Sequence, residues 1–311
     1  MKIGQQKIND VYSSKKVLIT GQRGYLGSML RVALQNLGCD IKTFGGDVSV
    51  KEDWSSNLDK VDIVFHLAAI EYDATKDPYR DLNTNAVSVL HLFESCKLKS
   101  ISPKVIFASS SNIFSRAKSL PITENEKDSP ASIWSAHKLL AENYLNVYSD
   151  QLGATSSSLR LSNVYGPSTT TELSKRTALN KMIDRALSNR KIKLFNNCQC
   201  IRDWVYIEDV VDAFLLAGTI EDKKFHNFLI GSESENTIAQ TAQIIIDEVE
   251  NNLGKNVKID YGKDTKLPAM AMRNYAPNCE LFKSTTGWYP KYDLKNGIKL
   301  TVEYFYEQSR S

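Results

Sequence analysis

The stretch VLITGQRGYLGSMLRVALQNLG, residues 17–38, decides the fold. VLIT (17–20) is a short apolar run bounded by glycine, and YLGSMLRVALQNLG (25–38) carries helical spacing closed by Gly38. Strand, turn and helix follow from that order. The turn spaces three glycines as Gly21, Gly24 and Gly27. At such a junction Gly21 permits the tight turn, Gly24 lets the backbone approach phosphates, and Gly27 lets helix and strand pack closely. A dinucleotide pyrophosphate suits the helix N-terminus there, because its N–H groups and dipole favour an anion. Glycine triplets also occur in turns that serve structure alone. Here the strand before and the helix after supply the context.

Working outward, DIKTF and then Gly45-Gly46-Asp47 follow, and VDIVFHLAA (61–69) reads as a strand buried on both faces. Next come a helix through NTNAVSVLHLFESCK, the strand KVIFASS, the helix SIWSAHKLLAENYLNVYSDQLG and the strand TSSSLRLSNVY. Alternation at these lengths predicts an α/β fold with a doubly wound, Rossmann-like parallel sheet. Beyond Tyr165 the pattern loosens: a helix near 177–189, the strand KIKLF, a helix after Asp209, the strand FHNFLIG and a long helix over 237–253. Residues 1–165, with 202–231 returning to them, are expected to form a dinucleotide-binding domain. Residues 166–201 and 232–311 are expected to form a smaller substrate-binding lobe.

The chain has 311 residues, enough for a full core, and 39 Lys plus Arg against 36 Asp plus Glu. A net charge of +3 argues against nucleic acid or a membrane surface held by bulk charge, and is compatible with a small anionic ligand. The five cysteines (Cys39, Cys96, Cys198, Cys200, Cys279) show no metal-ligand spacing, so reduced thiols and no metal are expected. The leader MKIGQQKINDVYSSKK has no apolar core and no later run approaches a membrane span, which points to a cytoplasmic enzyme or binding protein.

The glycine spacing resembles that of the extended short-chain dehydrogenase/reductase family, the sugar-nucleotide epimerases, dehydratases and reductases. The resemblance continues through HLAA (66–69), Asn85, IFASSSNIF (106–114), RLSNVYGP (160–167), IRDWVYIEDVV (201–211) and GWYP (287–290), in the family's order. It implies cofactor contacts from Gly21, Arg23, Gly24, Tyr25, Leu26, Gly27, Asp47, Val48, Leu67, Ala68, Ala69, Asn85 and Lys138. It implies substrate contacts from Ser111, Asn163, Arg202 and Arg273, the arginines meeting a diphosphate, and a homodimer through helices at 79–99 and 131–153. An apolar stripe on those helices also fits plain core packing.

In dinucleotide folds an acidic residue ending the second strand holds the ribose 2′-hydroxyl and repels a 2′-phosphate. Gly45 stands in that place, and Arg23 in the turn suits a 2′-phosphate, so NADP is favoured over NAD. A solvated Arg23 is the plainer reading. By resemblance Asp47 meets the adenine edge.

Catalysis in the family joins a Ser, here Ser110, to a Tyr and to a Lys one helical turn later, here Lys138. Residues 134 and 138 share a helix face. Residue 134 is Trp, and an indole N–H donates a hydrogen bond but exchanges no proton near neutral pH. Three readings stay open. The proton is carried by Lys138 through the ribose hydroxyl, by a water on Ser110 or Ser111, or by His137, whose titration range is suitable; or the chain binds dinucleotide and sugar nucleotide without redox turnover; or Trp134 walls an unusual substrate while chemistry is slow. Ser111-Asn112 replaces the acidic residues of the dehydratases and decarboxylating members. That leaves 4-epimerisation or 4-keto reduction of an NDP-hexose.

Overall fold

The computed structural model describes residues 3–70, 77–115, 117, 119–195, 198–262, 267 and 269–310. The chain opens with α1 (Ile3–Tyr12), then β1 (Lys16–Thr20), α2 (Tyr25–Asn36), β2 (Asp40–Thr43), α3 (Lys51–Asn57) and β3 (Ile63–His66). α4 (Pro78–Leu82) runs through a π-helical turn (Asn83–Val87) into α5 (Ser88–Lys99) and β4 (Lys104–Ser110). A 3₁₀ turn (Ser111–Phe114) follows, then α6 (Ile133–Leu152), β5 (Ser156–Leu161) and β6 (Asn163–Tyr165). The remainder comprises α7 (Thr171–Ser174), α8 (Ala178–Asn189), β7 (Lys191–Leu194), β8 (Ile201–Arg202), β9 (Trp204–Tyr206), α9 (Ile207–Ala217) and β10 (Phe225–Ile230). It closes with β11 (Asn236–Thr237), α10 (Ile238–Leu253), β12 (Lys258–Tyr261), α11 (Glu280–Thr286) and α12 (Leu294–Gln308).

Six parallel strands form the central sheet in the order β10-β5-β4-β3-β1-β2. β1 lies inside the sheet, so the turn that follows it opens at the strands' C-terminal edge, where α/β sheets bind ligands. Residues alternate across each strand. Val17, Ile19, Phe65 and Ile106 pack with α1, α2, α9 and α11 on one face. Leu18, Val64, Val105 and Phe107 pack with α3, α5 and α6 on the other. A third core lies among α8, α10, α12, β7 and β9. Three two-stranded sheets, β6-β9, β8-β11 and β7-β12, surround it.

Two local features depart from the sequence reading. The polar leader carries α1 because Ile8, Val11 and Tyr12 share one helix face, with Ile8 and Tyr12 buried on the core. The Tyr12 hydroxyl donates to the Leu215 carbonyl at 2.9 Å and fixes α1 on α9. The second departure is in TSSSLRLSNVY, which breaks at Ser162: β5 stays in the central sheet while β6 leaves it to pair with β9. Among the described residues no helix is long and apolar enough to cross a membrane.

Candidate active site

The glycine turn is built as its spacing predicts. Gly21 has φ +69°, and a Cβ there would lie 2.6 Å from the Ala68 amide nitrogen, so glycine is required by both backbone and space. A Cβ on Gly27 would collide with the Gly21 carbonyl. α2 therefore starts directly against the turn, with no side chain capping its N-terminus and no acidic residue in its first turn. Its leading N–H groups suit an anion. Above them lies a cavity of about 570 Å³ lined by Gly21, Arg23, Gly24, Tyr25, Leu26 and Gly27. Asp47, Val48, Leu67, Ala68, Ala69 and Ala108 line it as well. The uncapped helix end, the close backbone approach and the apolar walls at Leu67, Ala68 and Ala69 fit a dinucleotide.

Under the turn runs a polar chain that sequence reading missed. Thr20 Oγ1 accepts from the amides of Leu67 (3.1 Å) and Ala68 (3.0 Å) and contacts His66 Nδ1 at 2.8 Å. His66 Nε2 meets Ser88 Oγ at 2.9 Å, and that hydroxyl donates to the Thr84 carbonyl at 2.7 Å. Since Ser88 gives its proton to Thr84, it accepts from His66, and Thr20 donates to His66 Nδ1. The bonding assigns the neutral Nε2–H tautomer. Burial pushes the imidazole down to about 3. No positive charge then competes with Lys138, which the same imidazole neighbours. The signal was present only as a His inside HLAA.

At the adenosine end, Gly45 is held through its N–H (3.0 Å) and carbonyl (2.8 Å) by the Asn57 amide. The Asp47 carboxylate accepts from the Ser49 amide (2.9 Å) and hydroxyl (2.8 Å), which hold it below the usual carboxylate range. Asn85, nearly fully buried in the π-helical turn, accepts from the Ile70 amide at 3.0 Å and donates to the Ile70 carbonyl at 3.3 Å.

Trp134 reaches the same carbonyl: its indole N–H donates to Ile70 O at 2.7 Å. The helix that carries it starts at Ser132, whose hydroxyl accepts from the Ser135 amide while the Ser135 hydroxyl accepts from the Ser132 amide. One turn further on, Lys138 Nζ donates to the Ala108 carbonyl at 2.9 Å. The ammonium sits 4.5 Å from the Phe107 ring centroid and 5.8 Å from that of Trp134. Lys138 is buried, and loss of solvation pushes it down to about 8, against the opposing pull of Glu142. Ser110 ends the same strand as Ala108, two residues on and on the same face, and its Oγ caps the 3₁₀ turn by accepting from Asn112 N at 3.1 Å. Burial lowers the basicity of the neighbouring His137 against the opposing pull of the Asp81 carboxylate of α4, and its Nδ1 has no partner among the described residues.

The residues expected to contact substrate, Ser111, Asn163, Arg202 and Arg273, are linked by hydrogen bonds to one another or to neighbouring backbone. Arg273 donates to Ser111 through its carbonyl (3.3 Å) and hydroxyl (3.2 Å), and stacks on Tyr275 with its guanidinium 4.9 Å from the ring centroid. Arg202 donates to the carbonyls of Ile201 (2.9 Å), Ala271 (2.7 Å) and Arg273. Asn163 donates to the carbonyl of Asp203, the residue after Arg202, at 2.8 Å. Burial, and then the neighbouring Arg202 charge, bring Arg273 down to about 10. Two buried guanidiniums this close favour an anionic ligand between them.

The family model described as "NAD dependent epimerase/dehydratase family" matches residues 17–231, more than two thirds of the chain. The chain belongs to that family. Among its relatives, a putative UDP-glucose 4-epimerase from Methanocaldococcus jannaschii is 26% identical over 318 residues, covering 95% of this chain and 100% of the relative. A UDP-glucose 4-epimerase from Mycolicibacterium smegmatis is 26% identical over 254 residues, covering 81% and 78% respectively. The crystal structure of a UDP-glucose 4-epimerase with UDP-glucose from Thermotoga maritima superposes with a TM-score of 0.84 at 26% identity, covering 94% of this chain and 99% of that one. Within this epimerase/dehydratase frame, the indole at 134 on the Ile70 carbonyl is the feature that the chemistry has to accommodate.

Proposed function

We propose that this chain is an NAD(P)-dependent sugar-nucleotide enzyme that acts at C4 of an NDP-hexose, by 4-epimerisation or 4-keto reduction. The observation that carries the proposal is the Lys138 amine, fixed 2.9 Å from the carbonyl of Ala108, which lies on the strand that carries Ser110 and lines the cavity over the glycine turn. A bound nicotinamide supplies the hydride acceptor and donor. Gly21, Gly24 and Gly27 hold its phosphates, Leu67, Ala68 and Ala69 wall it, and Asp47 with Val48 flanks the adenosine end. Gly45 in the acidic position, with Arg23 on the turn, favours NADP over NAD. Relatives named for UDP-glucose support a UDP-sugar as substrate. Arg202, Arg273 and Asn163 bind its diphosphate, and Ser110 with Ser111 orients the sugar.

Proton handling falls to Lys138. When a carbinol is oxidised its O–H proton passes to neutral Lys138 Nζ, and when a ketone is reduced the ammonium returns it to the oxygen. Trp134, bonded to Ile70 O, supplies no proton. His137 stays outside this exchange. The enzyme works as a cytoplasmic homodimer.

The test is purified protein with NADP(H) or NAD(H) and a panel of UDP-, GDP- and dTDP-hexoses and their 4-keto forms. Expected are turnover of at least one of them and its abolition in Lys138→Met. Absence of turnover with dinucleotide and sugar nucleotide both bound by calorimetry assigns the chain to binding alone. That is the reading the indole at 134 favours.

A further inference from the structure

Arg176 lines the same cavity as the glycine turn, although it lies on the far side of the sequence from it. We propose that Arg176 is a second phosphate ligand of the dinucleotide, carried by the 166–177 loop, so that its guanidinium closes over the pyrophosphate while Arg23 serves the adenosine end. This rests on the dinucleotide reading of the cavity.

The loop is docked on the start of α2. Tyr25, the first residue of that helix, donates its phenol proton to the Gly166 carbonyl at 2.8 Å. Ser168 Oγ donates to the Tyr25 carbonyl at 2.9 Å and meets Ser28 Oγ at 3.2 Å. The buried Asn180 side chain braces the loop from within. It accepts from the Gly166 amide at 3.0 Å and donates to the carbonyls of Gly166 (2.8 Å) and Ser174 (2.6 Å). Ser174 Oγ in turn accepts from the Ser168 amide at 2.7 Å. Gly166 adopts φ +117°, and a Cβ there would lie 2.8 Å from the Tyr206 ring, so the chain makes its bend only with glycine.

The backbone that presents Arg176 is thus fixed to the helix end where a pyrophosphate would sit. The amides of α2 carry only partial charge, about +0.5 in total. A pyrophosphate carries more, and α2 brings no basic residue of its own at its start. A guanidinium matches phosphate oxygens in geometry as well as charge. Binding then also ties the loop that follows Tyr165 to the glycine turn.

The experiment is calorimetry of full-length wild type, Arg176→Ala, Arg176→Lys and Arg23→Ala with NAD+, NADP+, ADP-ribose and adenosine. Arg176 is exposed, and matching thermal melts without ligand establish that the variants are folded. Arg176→Ala is expected to weaken NAD+, NADP+ and ADP-ribose by one common factor of tenfold or more, with Arg176→Lys intermediate and adenosine unaffected. Arg23→Ala should instead shift the ratio of NADP+ to NAD+ affinity. Hydrogen exchange of amides 168–177 should slow on adding NADP+ in wild type and not in Arg176→Ala. Unchanged dinucleotide affinity in Arg176→Ala overturns the proposal, as does a loss confined to NADP+. If wild type binds none of the dinucleotides, the cavity reading itself falls, and the proposal with it.

Discussion

Trp134 shows how one residue resets the chemistry of a site whose scaffold is otherwise intact. Its indole N–H is committed to Ile70 O, and the titratable side chain one turn further along α6 is Lys138. General acid–base catalysis typically contributes about 10² to 10⁴ in rate. Trp134→Tyr places a phenol one turn before an amine able to lower its pKa, so turnover of a UDP-hexose should rise by at least about tenfold. A fall on the best substrate would instead make the indole a substrate wall. The pH dependence follows from burial. Lys138 is held near 8, so its neutral amine, the form that accepts a proton, grows in as pH rises through 8. Oxidation-limited turnover should climb through that pH in wild type and vanish in Lys138→Met. In the folded protein the buried ammonium is disfavoured, whereas the unfolded chain holds the proton up to about 10.4. Lys138 therefore costs the fold most below pH 8, and the cost fades toward about 10.4. Lys138→Met should raise the melting temperature at pH 7 by more than at pH 10.

At the scale of elements, β4, α6 and β5 are locked by one buried ion network. Arg160 of β5 donates to both Glu142 oxygens from Nε at 3.1 Å and to Glu142 Oε2 from a terminal nitrogen at 2.6 Å. It also reaches Asp128 at 2.7 Å and lies over the Phe114 ring at 4.6 Å. Ser158 adds a bond to Glu142 at 2.7 Å, and Ser109, the neighbour of Ser110, another. Both charged side chains are 3% exposed. Removing Glu142 leaves the buried Arg160 paired only with the partly exposed Asp128, and breaking a buried pair costs up to about 3 to 5 kcal/mol. Glu142→Ala should lose that much in urea unfolding. Lys15→Ala, which breaks the half-exposed pair with Asp62, should lose no more than about 1 kcal/mol. Equal losses would mean that the network does not hold these elements together. The register it sets is what brings Lys138 to the end of β4.

Across the whole molecule, α5 and α6 pack side by side on one face of the sheet and still expose Leu98 (78%), Ile133 (61%) and Val147 (49%). Exposed apolar side chains on adjacent helices suit a second copy. Light scattering should give twice the 35.0 kDa chain mass, and Leu98→Glu with Val147→Glu should give the monomer; a monomeric wild type would return those helices to core packing alone. The residues around the glycine turn, the alternation of strands and helices, and the identities at 110, 134 and 138 were all legible in the sequence. Each depends on turn chemistry or periodicity within a few residues, and local sequence carries that information. The helical leader was less legible, because three apolar residues in a polar stretch form a face only once α9 is there to cover it. The break at Ser162 depended on β9, which arrives forty residues later to take β6 out of the sheet. Likewise no local signal joined Arg273 to Ser111, Arg176 to the glycine turn or Thr20 to Ser88 through His66. Those pairings exist because the sheet order and the packing of distant loops bring the groups within hydrogen-bonding or cavity distance. Sequence determined which chemistries the chain carries, and the tertiary structure decided which of them meet.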